Sequence, residues 1–104
     1  MDNIIVFVTC ASRKEANRIA RSLVTDRLAA CVNILGGVES VFRWQGKIDT
    51  SQEVLLVIKS KKSKLTKLIS LIKSRHSYQV PEVIALPIIA GEEKYLRWLN
   101  ESLR

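Results

Sequence analysis

Two short stretches of this chain, Ile4–Val8 and Val54–Ile58, are apolar at every position. A strand with one wet face alternates apolar and polar residues. A run with no polar position belongs to a strand covered on both faces. Both runs are far shorter than the roughly 20 residues of a membrane span. The chain must therefore place at least two strands in the middle of a sheet and cover that sheet with other elements.

The covering elements are legible between them. Ser12 and Glu15 have the spacing of a capping box, in which hydroxyl and carboxylate each reach an orphan amide at a helix start. Ala16, Ile19, Ala20, Leu23, Val24 and Leu28 then follow helical spacing, with Arg13, Arg18, Arg21 and Asp26 off the stripe. A second helix, capped by Ser60 or Ser63, buries Leu65, Leu68, Ile69 and Ile72. A short third helix opens at Gly91 and packs through Tyr95, Leu96, Trp98, Leu99 and Leu103.

Between the first two helices lies a long hairpin. Leu28–Leu35 leads into a strand interrupted at Gly36-Gly37, which suggests a bulge or bend. The strand resumes over Val38–Trp44, and Gln45-Gly46-Lys47 makes the turn, the glycine at positive φ. Residues 48–52 are polar and are expected to pair loosely before the sheet proper begins at Glu53. Val80–Ala90 reads as the last strand, placed at an edge or kinked by Pro81 and Pro87.

The resulting order is βαββαβ with a C-terminal helix, within one domain spanning residues 1–104. The expected fold is α+β: a ferredoxin-like sandwich of helices on a four-stranded antiparallel sheet, first and third strands central. Its β2-β3 hairpin is extended beyond what a strand pair needs. An overhang carrying Phe42 and Trp44 is an exposed edge unless another chain covers it, so assembly through strand pairing with cyclic symmetry is expected.

Composition narrows function by exclusion. The net charge of +7 resides in one segment: no acidic residue falls between Glu53 and Glu82, where seven bases do. Setting those seven aside leaves ten bases against ten acids. A solvated helix face accounts for such a run, and contact with nucleic acid is the disfavoured alternative. Two cysteines and one histidine cannot supply a Cys/His-only closed zinc site. Neither a signal peptide nor a membrane helix is evident at the N-terminus or elsewhere, so the expected location is cytoplasmic. Without a nucleophile motif or a phosphate-cradling glycine loop, no enzymatic activity is expected.

The densest group of binding side chains is His76-Ser77-Tyr78-Gln79-Val80-Pro81-Glu82, which holds the sole histidine. This segment, Leu28-Ala29-Ala30-Cys31-Val32-Asn33, Ser40–Lys47, Glu53–Lys59 and Tyr95–Asn100 together resemble the CutA family of divalent-cation tolerance proteins, along essentially the whole chain. The resemblance implies a homotrimer held by the long hairpin and a link to copper and other divalent metals. It also implies kinship of shape with PII-like signalling trimers that bind a small metabolite.

Carried over residue by residue, the resemblance points to His76 and Cys10 as metal ligands. Some bacterial members place a cysteine on the first strand and two adjacent histidines before the Tyr-Gln-x-Pro-Glu motif. Here Arg75 stands at the first histidine position. Cys10 lies two residues after the matching strand position, Val8, which keeps it on the same strand face. The resemblance further implies a ligand cleft between subunits lined by Asn33, Trp44, Glu53, Lys59, Tyr78 and Glu82, in which Lys59 would pair with Glu53 or Glu82.

Overall fold

The computed structural model describes residues 2–104. In chain order it contains β1 (Asn3–Cys10), α1 (Arg13–Thr25), β2 (Cys31–Trp44), β3 (Lys47–Lys61), α2 (Leu65–Arg75, entered through one 3-10 turn), β4 (Val83–Pro87) and α3 (Glu93–Ser102). The strands form one antiparallel sheet in the order β2-β3-β1-β4. The two strands that carry the uninterrupted apolar runs, Ile4–Val8 and Val54–Ile58, are the central ones, as that patterning requires.

Alternation along the strands separates the two faces. Ile4, Val6, Val8 and Cys10 of β1 pair with Ser60, Ile58, Leu56 and Val54 of β3, and all eight are buried beneath the helices. Ala16, Ile19, Ala20 and Leu23 of α1 and Leu68 and Ile72 of α2 close this core. Val24, on the expected stripe, is instead exposed at the last turn of α1. On the other face α3 covers one end, where Leu99 and Leu103 pack with Ala30 and Ile88. Beyond that end, Leu35, Ile84 and Leu86 are half exposed.

Gly36-Gly37 forms the expected bulge: the register passes from Leu35↔Leu55 to Val38↔Glu53, and Gly37 has φ of 73°. At the far end Gln45 and Gly46, at φ of 50° and 78°, make a two-residue turn whose positive angles match the strand twist. That turn sets the register, so β3 is fully paired from Lys47, correcting the expected loose segment at 48–52. Backbone pairing there does not depend on the polar side chains.

Three further expectations are corrected. Neither serine caps α2: Ser60 stays in β3, where its hydroxyl donates to the Leu28 carbonyl at 2.6 Å, and Ser63 lies within the 3-10 turn. The last strand is limited to Val83–Pro87; Pro81 precedes it, and the ladder is prolonged only by Ile88 N–H to Asn3 O at 2.9 Å. In α3 the cap is Glu92, whose carboxylate accepts from the amides of Lys94 and Tyr95, while Tyr95 and Trp98 face outward rather than into the core.

Candidate functional site

Cys10 ends β1 on the helix side of the sheet, fully buried. Two residues on, Ser12 caps α1 by accepting the Glu15 amide proton at 3.1 Å. The second half of the expected capping box is rearranged. Glu15 Oε1 accepts from Ala11 N–H at 3.3 Å, and Oε2 reaches across to Ser77 N–H at 2.8 Å. The carboxylate thus ties the β1–α1 corner to the segment following α2, and it is buried in doing so.

That segment begins with His76, which leaves the helix in extended conformation and turns its ring inward. The side chain is fully enclosed. Nε2 lies 2.7 Å from the Thr9 carbonyl, which can only accept, so Nε2 carries the proton. Nδ1 then has a free lone pair, accepts Tyr78 N–H at 3.0 Å and stands 3.9 Å from Glu15 Oε1. One ligand atom from each of Cys10, Glu15 and His76 lies within 4.8 Å of the other two.

Charge in this cluster is set by burial and hydrogen bonds. Burial, helped by the carboxylates of Glu15 and Glu53, pushes the Cys10 thiol up to about 12. For Glu15 burial also acts upward, but hydrogen bonds from Ser77 and Ala11 and the nearby imidazole outweigh it, holding the carboxyl below its ordinary value. The cluster therefore pairs a thiol with a carboxylate kept ionised. All its polar atoms are satisfied: among the described residues no buried side-chain nitrogen or oxygen lacks a partner.

Beside the cluster, the Tyr78 hydroxyl donates to Glu53 Oε2 at 2.7 Å, and its ring centroid lies 4.7 Å from that of His76. Burial and the Glu53 carboxylate raise the Tyr78 phenol to about 12. Further along β3, the Lys59 ammonium donates to the Asn33 side-chain oxygen across the β2–β3 pair. The expected pairing of Lys59 with Glu53 or Glu82 is not formed within one chain: six residues of extended strand, about 20 Å, separate Lys59 from Glu53, and Glu53 is engaged by Tyr78. Trp44, beside the hairpin turn, and Glu82, before β4, are exposed and join neither pair.

An open groove of about 490 Å³ borders the cluster, lined by Glu15, Arg18, Ser74, Arg75, His76 and Ser77. A second cavity of about 340 Å³ lies at the opposite end of the sheet, by Asp2, Lys61 and Arg104, and contains none of the cluster residues. Of the three cluster residues, Cys10 and His76 are those singled out in sequence. Glu15 was not, since a capping box accounts for it locally; its burial on a charged helix start was the missing signal.

Thiol, imidazole and carboxylate at such spacing suit a borderline divalent cation. A sequence profile of the CutA1 divalent ion tolerance protein matches residues 4–102. The chain belongs to the CutA1 family. It is 46% identical over 98 residues to the divalent-cation tolerance protein CutA of Thermus thermophilus, covering 94% of this chain and 95% of that protein. It is 48% identical over 102 residues to the chloroplastic protein CutA of Arabidopsis thaliana, covering 98% of this chain. The match spans only 56% of the Arabidopsis protein's length.

Solved structures of the family agree in fold. The Oryza sativa CutA1 crystal structure superposes with a TM-score of 0.97 at 48% identity, over 100% of this chain and 95% of that one. A Thermus thermophilus structure gives 0.95 at 45% identity, over 96% and 97%. The family relatives include proteins named chloroplastic and periplasmic. No described helix is long and apolar enough to cross a membrane.

Proposed function

We propose that this CutA1-family chain acts in divalent-cation tolerance by binding the cation at Cys10, Glu15 and His76. The observation that carries the reading is the convergence of three different ligand types within 4.8 Å at the junction of β1, α1 and the segment after α2. Zinc and copper(II) both accept nitrogen, sulfur and oxygen donors.

The residues fit such an ion in two respects. The Thr9 carbonyl holds the imidazole by Nε2–H, leaving Nδ1 as the donor atom on the side of Glu15, the arrangement by which backbone carbonyls orient metal-binding histidines. The carboxylate is already ionised. Two things must give way. The Cys10 proton is released, and the Tyr78 amide yields its place on Nδ1, so occupancy is coupled to the turn at 76–78. A response to metal of this kind needs no catalysis, and a non-enzymatic role fits the tolerance names borne by the relatives.

Homotrimeric assembly belongs to the same proposal. The half-exposed Leu35, Ile84 and Leu86 on the open sheet face, and Val41, Phe42, Trp44 and Ile48 on the hairpin, form apolar surface of the kind buried between subunits. Asn33, Trp44, Lys59 and Glu82 would meet partner residues there. The Lys59–Asn33 contact supports a second reading, in which a PII-like cleft between subunits takes a small anionic metabolite. Two free thiols suit a reducing, cytoplasmic setting.

Calorimetric titration with Zn(II) and Cu(II), wild type against His76→Ala, tests the metal reading. Loss of binding in the variant is expected; equal binding by both proteins would remove His76 from the site.

A further inference from the structure

The groove beside the cluster carries charge that the metal reading alone does not use. Two of its six lining residues, Arg18 of α1 and Arg75 at the end of α2, are exposed arginines. Among the described residues the one Lys/Arg–carboxylate pair is Arg97–Glu93, and Glu15 stands instead beside the neutral His76 ring, so neither groove arginine meets a carboxylate. Arg75 Nη1 donates to the Ser22 hydroxyl at 2.6 Å, which fixes its position without neutralising it. Glu15, the acid in the groove, directs its oxygens to the Ala11 and Ser77 amides instead.

A divalent cation on the Cys10 thiolate and the Glu15 carboxylate is formally neutralised, and the two arginines then leave the mouth of the site doubly positive. Three protein donors also leave a coordination position for an outside donor. A bare cation is repelled at such a mouth, whereas a carboxylate is drawn in, and the guanidinium fork matches its two oxygens.

Resting on the metal reading above, we infer that the groove takes a small carboxylate anion, held by Arg18 and Arg75, which completes the coordination of the cation. The preferred ligand is thus a cation presented with a carboxylate, not the hydrated ion. Arginines serving only as a solvated helix face would leave metal binding indifferent to the anion.

The test is a Co(II) titration followed by visible absorption, in sodium acetate and in sodium perchlorate of equal ionic strength. Wild type should bind Co(II) about tenfold more tightly in acetate, the size of a charge-assisted hydrogen-bonded contact. Arg18→Gln/Arg75→Gln should lose that difference and bind Co(II) in perchlorate about threefold more tightly, the relief of two screened charges. Ser22→Ala, which removes only the Arg75 hydrogen bond, should keep the acetate effect.

Equal affinity of wild type in both salts, or an acetate effect that survives the double substitution, overturns the inference while leaving the metal site standing. A wild-type protein without a thiolate–cobalt band, or one whose band survives Cys10→Ser, overturns the metal reading beneath it.

Discussion

The Nδ1 atom of His76 stands 3.9 Å from Oε1 of Glu15, although one side chain follows the second helix and the other opens the first. Both are enclosed, and both are held by backbone groups rather than chiefly by each other: the imidazole by Thr9 and Tyr78, the carboxylate by Ala11 and Ser77. The two side chains thus double as fasteners for three chain segments: the end of β1, the start of α1 and the segment after α2.

Glu15 should therefore matter to stability as well as to metal. Its replacement by Ala leaves two backbone amides without their acceptor and is expected to cost about 1–3 kcal/mol, read from urea denaturation. Because the folded carboxyl is held below its ordinary value of 4.5, its contribution is present above that pH and fades as the solution is acidified further. Wild type should lose stability in acid more steeply than Glu15→Gln.

On the alkaline side the sign reverses. Tyr78 and Cys10 are both raised to about 12, from 10.0 and 9.0. Each contributes stability that is whole below its unfolded value and lost as pH rises toward 12. Thermal midpoints should fall through this window, and Tyr78→Phe should flatten part of the fall. The same substitution orphans the buried Glu53 oxygen and should lower stability by about 1–3 kcal/mol at neutral pH.

Leu23 is fully buried between α1 and the sheet. Leu23→Ala is expected to cost about 2–5 kcal/mol in chemical denaturation, the cost of a core truncation that leaves a cavity. Since the proposed assembly would add to apparent stability, wild type and variant are compared at one protein concentration.

The proposed homotrimer predicts that light scattering gives a trimer mass at micromolar protein, and that Ile48→Glu, a charge on the exposed hairpin strip, shifts the population toward smaller species. A wild-type monomer under those conditions would remove the proposed role of the hairpin.

Much of this architecture was legible in sequence because its strongest signals are local. The two apolar runs place β1 and β3 in the centre, and Gly36-Gly37 marks the bulge, since both follow from covering and backbone angle alone. The misread serines show where local rules stop. Ser60 before a basic helix looks like a cap, but its hydroxyl is claimed by the Leu28 carbonyl across the core. Glu15 fails for the same reason in reverse: a capping box satisfied the pattern, while Ser77, distant in sequence, took one of its oxygens. Cys10 and His76 were found individually, yet their meeting depends on how α2 returns over the end of β1. Trp44 and Glu82 join no side-chain pair within one chain, and the proposed cleft would require a second subunit.

Anomalous diffraction at the zinc edge from crystals grown with Zn(II) tests the central claim most directly. A peak about 2.0–2.1 Å from His76 Nδ1 and about 2.3 Å from Cys10 Sγ, with Glu15 adjoining, is the predicted result. Zinc peaks confined to other residues, with His76 Nδ1 still bound to the Tyr78 amide, would contradict it.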